Sequence, residues 1–548
     1  MFDYEAHGLT RPAVRPEIPG GPQTVAAVLE RGLARAPTAL ALVGRCGRYD
    51  YAQLDGEVDR AARALADLGV GPWDRVAACL PNDVDIVVAF LATQRLGAIW
   101  VGVNRVLAAP EKSYLLRDSA AVVLLTTGEV ASQLAAERSE LPALRSVEIV
   151  DPEAPQQGWL GRVAASPTTA PRPEIDPFAP AAIAYTSGTT GFPKGAVHSQ
   201  HNLLLPGAVS FATGGHPPGA PLGVVLPLTI LNLVVLGPLI AFQYGAACVA
   251  MDRIDPEGLA AWVREERVAS FAAVPTVIHD LLTHPKVAPE DLASLVAPLV
   301  GGSECPEEFR ALYRQRFGSD VAIGYGMTEA PTAVTLAEGL SAQPGLCGKA
   351  LPQIEIRICD EDGRVLPPGV EGEICVAPAH GGDWAGIYTP MLGYWGRPEA
   401  SARALRDGVY HSGDVGVLEA DGTLYIRGRQ NELILRGGAN VYPAEVERVL
   451  QEDPRVAEAA VFGLPDPRLG ERVVAAVVLE PDAAASPEAL REHCRTQLAR
   501  YKVPDRIVLV DALPRNAMSK VVKRQLTPLF EDFPEQPPAT DAKPPEKS

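Results

Sequence analysis

Residues 181–197 read Ala-Ala-Ile-Ala-Tyr-Thr-Ser-Gly-Thr-Thr-Gly-Phe-Pro-Lys-Gly-Ala-Val, an apolar strand that runs into a Ser/Thr/Gly turn and out again into apolar residues. Glycines at 188, 191 and 195 open backbone conformations closed to other residues, and Ser187, Thr189, Thr190 and the backbone N–H groups can surround phosphate oxygens. Lys194 adds a point charge. The spacing is not G-x-x-x-x-G-K-[ST], which argues against a P-loop NTPase. Taken alone, a Ser/Thr/Gly run reads equally well as a surface turn, so the flanking chain has to decide.

Before this run, helical and strand patterns alternate: residues 24–37, 74–82, 85–104 and 120–130 carry them in turn. Such alternation predicts a mainly parallel sheet covered by helices. Residues 151–180 are rich in Pro and Ala without clear period and read as a connection inside the same domain. The alternation continues to residue 428 and then restarts on a smaller scale, with helices in 443–451 and 486–501 and strands in 456–464, 471–480 and 505–513. The expected domains are therefore a large one over 1–428 and a compact α+β one over 429–530, with a Pro-rich, charged and disordered tail over 531–548.

Composition narrows the class. A chain of 548 residues with 47% apolar and 21% charged residues is globular and too long for one core. Its formal charge of -18 disfavours nucleic acid or an anionic membrane as partner, so an anionic ligand needs a locally positive site. The eight cysteines show no zinc-type spacing and read as buried thiols in a reducing compartment; with no apolar segment near the N-terminus, a cytoplasmic location is expected. Residues 217–251 lack any charge and imitate a membrane span, but Pro227, Pro238 and Asn232 interrupt them, so a buried strand and helix are expected instead.

The 185–195 run resembles the phosphate-binding signature of the adenylate-forming superfamily, which contains acyl-CoA synthetases, peptide-synthetase adenylation domains and luciferases. Further segments match that superfamily in order: Gly301-Gly-Ser-Glu304, Tyr325-Gly-Met-Thr-Glu329, Gly393-Tyr-Trp395, His411-Ser-Gly-Asp414, Gly428-Arg-Gln-Asn-Glu432, Arg436 to Glu445 and Lys520. The resemblance covers nearly the whole chain. It implies a large domain of helix-covered sheets and a small mobile C-terminal domain.

It also implies roles. Thr186, Ser187, Gly188, Thr189, Thr190 and Lys194 would hold ATP phosphates, while Tyr325 and Gly326 would flank adenine opposite Gly302, Ser303 and Glu304. Thr328 would contact the α-phosphate and Glu329 would hold Mg²⁺. Asp414 would accept the ribose hydroxyls, with Arg429 reaching ribose or phosphate. Lys520 would stabilise charge as a carboxylate attacks the α-phosphorus, and a hinge at Asn431 would then exchange the Lys520 loop for Arg436, Gly437 and Gly438 beside coenzyme A. Three positions depart from the usual pattern: Asn431, Ser519 and Ile230.

The activity so implied is ATP-dependent ligation of a hydrophobic carboxylic acid to coenzyme A through an acyl-adenylate, and a homodimer is compatible with it. Leu231, Asn232, Val235, Val274, Thr276, Met327 and Ala330 are candidates for the acyl pocket, whose apolar character suits an aromatic, alicyclic or medium-chain acid. An amino-acid substrate fits less well, because residues 226–235 read LPLTILNLVV and offer no carboxylate to an ammonium group. Two alternatives stay open: loading of a carrier-protein thiol, and a nucleotide sensor without turnover.

Overall fold

A computed structural model describes residues 2–186, 192–296, 298–301, 307–331, 333–337, 345–360, 362–429, 434–481, 483–514, 521 and 523–530. They form two compact units, the first closing with the strand Thr423–Arg429 and the second opening with the strand Ile434–Arg436. The first is a large α/β domain and the second a small α+β domain.

The strand Pro180–Thr186 pairs antiparallel with Lys194–Ser199 as the two arms of a hairpin. Its other edge pairs in parallel with Ile99–Gly102, which continues through Arg75–Cys79 and Val123–Thr126 to Ser146–Ile149. With Gly393–Tyr394 on the outer edge of the hairpin, these make a seven-stranded sheet. The helix Val84–Arg95 is buried at every residue except Asp85, as expected of a helix enclosed on all sides. Asp50 caps the helix Tyr51–Asp67 through a full capping box with Gln53.

A second, larger sheet changes character halfway. Leu40–Gly44, Cys248–Ala250, Leu222–Val224, Ser270–Ala273, Leu299–Gly301 and Ile323–Gly326 pair in parallel. From Ala333–Ala337 onward the pairing is antiparallel, through Leu346–Ala350, Thr423–Arg429, Val409–Leu418 and Glu371–Pro378 to Ile354–Cys359. The junction between the two regimes runs from the end of the strand Ile323–Gly326, which holds Tyr325, into the loop that follows it with Met327, Thr328 and Glu329.

Residues 217–251 form a strand, a helical stretch Leu231–Tyr244 and a second strand, all inside the large core; among the described residues no helix is long and apolar enough to cross a membrane. Pro238 lacks an N–H, and the helix widens to a π turn over Val235–Leu239 around it. The segment 151–180, read as a plain connection, holds a short helix, Gly158–Ala165. Its buried anchors, Trp159 and Val163, are one turn apart, too few to show a period.

In the small unit the strands Val456–Asp466 and Gly470–Leu479 alternate with period two. Val461, Val473 and Ala475 face one apolar cluster with the helices Pro443–Gln451 and Pro487–Gln497, and Phe462, Val474 and Ala476 face another with Leu526 and Phe530. The strands Ile434–Arg436 and Ala439–Val441 make a tight hairpin through Gly437 and Gly438 at φ +56° and +80°. Positive φ at both central residues is the requirement of a two-residue hairpin turn, which explains the Gly-Gly pair.

Candidate active site

The feet of the 185–195 hairpin are tied down from outside. The Tyr185 hydroxyl donates to Asp118 Oδ2 at 2.8 Å, and the Tyr114 hydroxyl donates to the Pro193 carbonyl at 3.0 Å while its ring stacks on Phe192. Arg397, just after the Gly393-Tyr-Trp segment, donates to Asp118 Oδ1 at 2.6 Å. Burial, with Asp118 as neighbour, pushes the Tyr185 phenol well above its ordinary value, so it remains a donor.

Inside the hairpin, Thr186 and Lys194 face each other across the strand pair; Thr186 reaches the carboxylate of Glu329, and Lys194 lies within its electrostatic influence. Thr186 Oγ1 donates to Glu329 Oε1 at 3.4 Å and Tyr394 Oη donates to the same oxygen at 2.9 Å. The Lys194 ammonium lies 4.7 Å from the centroid of the Tyr394 ring. Burial pushes Lys194 below its ordinary value and Glu329 pulls it back up. Thr328 is set by its neighbour in space: the fully buried His198 donates Nε2–H to the Thr328 carbonyl at 2.8 Å. Burial pushes His198 down to about 4, which keeps the ring neutral.

Four residues before Glu329, at the end of the strand Ile323–Gly326, Tyr325 Oη donates to Asp414 Oδ2 at 2.6 Å. Asp414 is only 4% exposed and lies where the pairing register of Val409–Leu418 slips: Cys375 faces His411 and Glu373 faces Val415. The intervening residues are held individually. Ser412 Oγ donates to the Ile374 carbonyl at 2.6 Å and accepts from Asp414 N–H at 3.0 Å. Glu373 takes Gly413 N–H on one carboxylate oxygen at 3.0 Å and His411 Nδ1–H on the other at 2.8 Å. Arg429 is the backbone partner of Asp414 across the strand pair.

Thus Thr186, Lys194, Tyr325, Thr328, Glu329 and Asp414 gather around one loop, with Gly326 exposed within it. Ser187, Gly188, Thr189, Thr190, Gly302, Ser303, Glu304, Asn431 and Lys520 lie outside the described residues. In the small unit, the Arg436 guanidinium donates to the carbonyls of Tyr501 and Val503 and to Asp505 Oδ1 at 2.6 Å, so it braces the Gly437-Gly438 turn from behind. Among the acyl-pocket candidates, Leu231, Val235 and Ala330 are buried and Met327 packs against the main core. Asn232, Val274 and Thr276 are half-buried, the last two where the strand Ser270–Ala273 passes into the helix Pro275–Thr283. Ala330 alone of these lines a small cavity with Asn202, Leu205, Gln353 and Tyr388.

Sequence reasoning passed over His198, Asp118, Tyr114, Arg397 and Glu373. Their roles depend on contacts between residues 38 to 283 positions apart, and no local spacing signals them. Tyr394 stood inside a matched segment but had no role assigned.

The hairpin, the 325–329 segment that runs from Asp414 to it through Glu329, and a separate small unit follow the order that the resemblance to the adenylate-forming superfamily implies. Residues 29–395 match the family described as AMP-binding enzyme, and residues 445–520 match the AMP-binding enzyme C-terminal domain. The chain belongs to that family and is an AMP-forming acid–thiol ligase. It is 32% identical to the long-chain-fatty-acid–CoA ligase FadD13 of Mycobacterium tuberculosis over 87% of this chain and 92% of the relative. It is 34% identical to a feruloyl-CoA synthase of an Amycolatopsis species over 88% and 94%. Among solved structures, the amide bond synthetase McbA of Marinactinospora thermotolerans superposes with a TM-score of 0.81 at 29% identity, covering 92% and 99% of the two chains.

Proposed function

We propose that the large domain binds ATP along the 325–329 loop and that the enzyme converts a hydrophobic carboxylic acid first into its adenylate and then into its coenzyme A thioester. The observation that carries this reading is the spacing on that loop. Tyr325 bonds Asp414 at one end, and at the other Glu329 accepts from Thr186 and acts through its charge on Lys194, matching the order of ribose and phosphates in a nucleotide.

In this reading Asp414 accepts the ribose hydroxyls, and Lys194 with the hairpin N–H groups receives the phosphates. Both hydroxyls on Glu329 bind the same oxygen, which fixes the carboxylate's orientation, and a carboxylate oxygen suits a hard cation such as Mg²⁺. When bound, Mg²⁺ supplies charge neutralisation on the phosphates. The substrate carboxylate attacks the α-phosphorus and pyrophosphate leaves. Lys520 is assigned to stabilising the charge that develops there, and Asn431 to the hinge between half-reactions. A thiolate then attacks the acyl carbonyl and AMP leaves. Arg436 serves the second step indirectly, by holding the glycine turn offered to coenzyme A.

The relatives' names divide the substrate question between a long-chain fatty acid and a phenylpropenoic acid, and the amide bond synthetase raises an amine as acceptor. Pyrophosphate exchange over a panel of aliphatic and aromatic acids, followed by mass spectrometry with coenzyme A or an amine, tests each point. Exchange with apolar acids and acyl-CoA as product is expected. Nucleotide binding without exchange on any acid overturns the catalytic reading, and amide without thioester overturns the acceptor.

A further inference from the structure

Behind the Asp414 loop, the strands Ile354–Cys359, Glu371–Pro378 and Val409–Leu418 lie side by side, with Cys359 opposite Glu373 and Cys375 opposite His411. Glu373 and Cys375 are two apart on one strand, so all four side chains stand on the same sheet face. Glu373 Oε2 lies 2.8 Å and Cys375 Sγ 3.3 Å from His411 Nδ1, and one donor atom from each of the three falls within 4.8 Å of the others. Cys359, Cys375 and His411 are buried.

We propose that this face binds a thiophilic divalent cation, Zn²⁺ above all, in competition with the hydrogen bonds that hold the Asp414 loop. Thiolate, imidazole and carboxylate are the zinc donor set, whereas Mg²⁺ demands oxygen ligands and would not select it. Zinc bonds of about 2.0–2.3 Å set neighbouring tetrahedral ligands roughly 3.3–3.6 Å apart; the Cys375–His411 pair is already at 3.3 Å, and Glu373 needs to move back from its 2.8 Å contact with His411. Three protein ligands leave a fourth position for water or for Cys359.

On entry the Cys375 thiol proton leaves to solvent, the His411 ring proton moves to Nε2, and Nδ1 and a Glu373 oxygen bond the metal. Those are the atoms that fix the loop. His411 is three residues from Asp414, and Glu373 holds the intervening Gly413 N–H, so occupancy loosens the carboxylate assigned to ribose. The cation is therefore a negative effector of ATP binding, a consequence that rests on the Asp414 assignment above. The metal site itself does not rest on it.

The test uses the intact chain with a phosphine reductant. Co²⁺ reports the site by thiolate-to-cobalt absorption at one equivalent, and the band is expected to vanish in Cys375→Ser and to persist in Cys46→Ser, the exposed thiol. Zn²⁺ is expected to raise KM for ATP about tenfold in the wild type and less than about twofold in Cys375→Ser, whose basal exchange and thermal midpoint match the wild type. Absence of the band, or its survival in Cys375→Ser, overturns the metal site. A band without a KM effect, or equal inhibition of both proteins, overturns the coupling to ATP.

Discussion

Asp414 is a carboxylate almost closed to solvent, a placement that costs several kcal/mol unless donors surround it. The Tyr325 hydroxyl is one donor, and the ribose hydroxyls are the others this reading assigns. Charge-assisted bonds of this kind contribute about 1.5–3 kcal/mol each, so Asp414→Ala is expected to lower kcat/KM for ATP at least roughly tenfold in pyrophosphate exchange. An unchanged value removes Asp414 from the ribose site. His198 makes a different demand. Its folded value near 4 lies below the ordinary 6.5, so the unfolded chain binds the extra proton between those pH values. That contribution to stability is complete above about pH 6.5 and is lost as pH falls toward 4, amounting to about 2 kcal/mol between pH 7.5 and 5. Denaturant titrations at both pH values should show this difference in the wild type and its absence in His198→Gln, which keeps a donor for the Thr328 carbonyl.

The small unit shows what an element needs beyond its apolar pattern. The helix Pro443–Gln451 carries Glu445, whose carboxylate accepts from Lys502 Nζ at 2.9 Å with both side chains buried. Removing one partner leaves the other charge in the core, so Lys502→Ala is expected to cost about 3–5 kcal/mol, and Glu445→Leu with Lys502→Met to restore most of it. Thermal unfolding of the three proteins decides whether the pair acts through charge or through volume. Glu445 and Lys502 each read as ordinary surface charges in the sequence, 57 residues apart, and only the fold makes them partners. The same division runs through the active site. Lys194, Glu329 and Asp414 could be singled out as candidates because their motifs are local and ordered along the chain. The Gly437-Gly438 turn shows its φ requirement in two letters. The clamp of Asp118 on Tyr185 and Arg397 was illegible, because a carboxylate at a helix end announces nothing about side chains 67 and 279 residues away. Arg436 was read toward coenzyme A as the first residue of a glycine motif, yet its guanidinium faces inward to three acceptors of its own unit.

For the molecule as a whole, division into two units carries a kinetic prediction. If Lys520 serves only adenylation, Lys520→Ala abolishes acyl-adenylate formation while thioester formation from a supplied acyl-adenylate continues near the wild-type rate. Equal loss in both half-reactions, measured separately by exchange and by thiol capture, removes that division of labour. The larger sheet has a consequence for how the chain is made. Leu42 pairs with Cys248, so the strand Leu40–Gly44 leaves the ribosome about 10–40 s before its parallel partner at roughly 5–20 residues per second. Meanwhile it has only the hairpin with Gly47–Asp50, which alone is marginal in water. Its other backbone edge stays open through all that synthesis, so the nascent N-terminal segment is a client for chaperones that shield strand edges, and slowing translation before residue 248 should favour aggregation over yield.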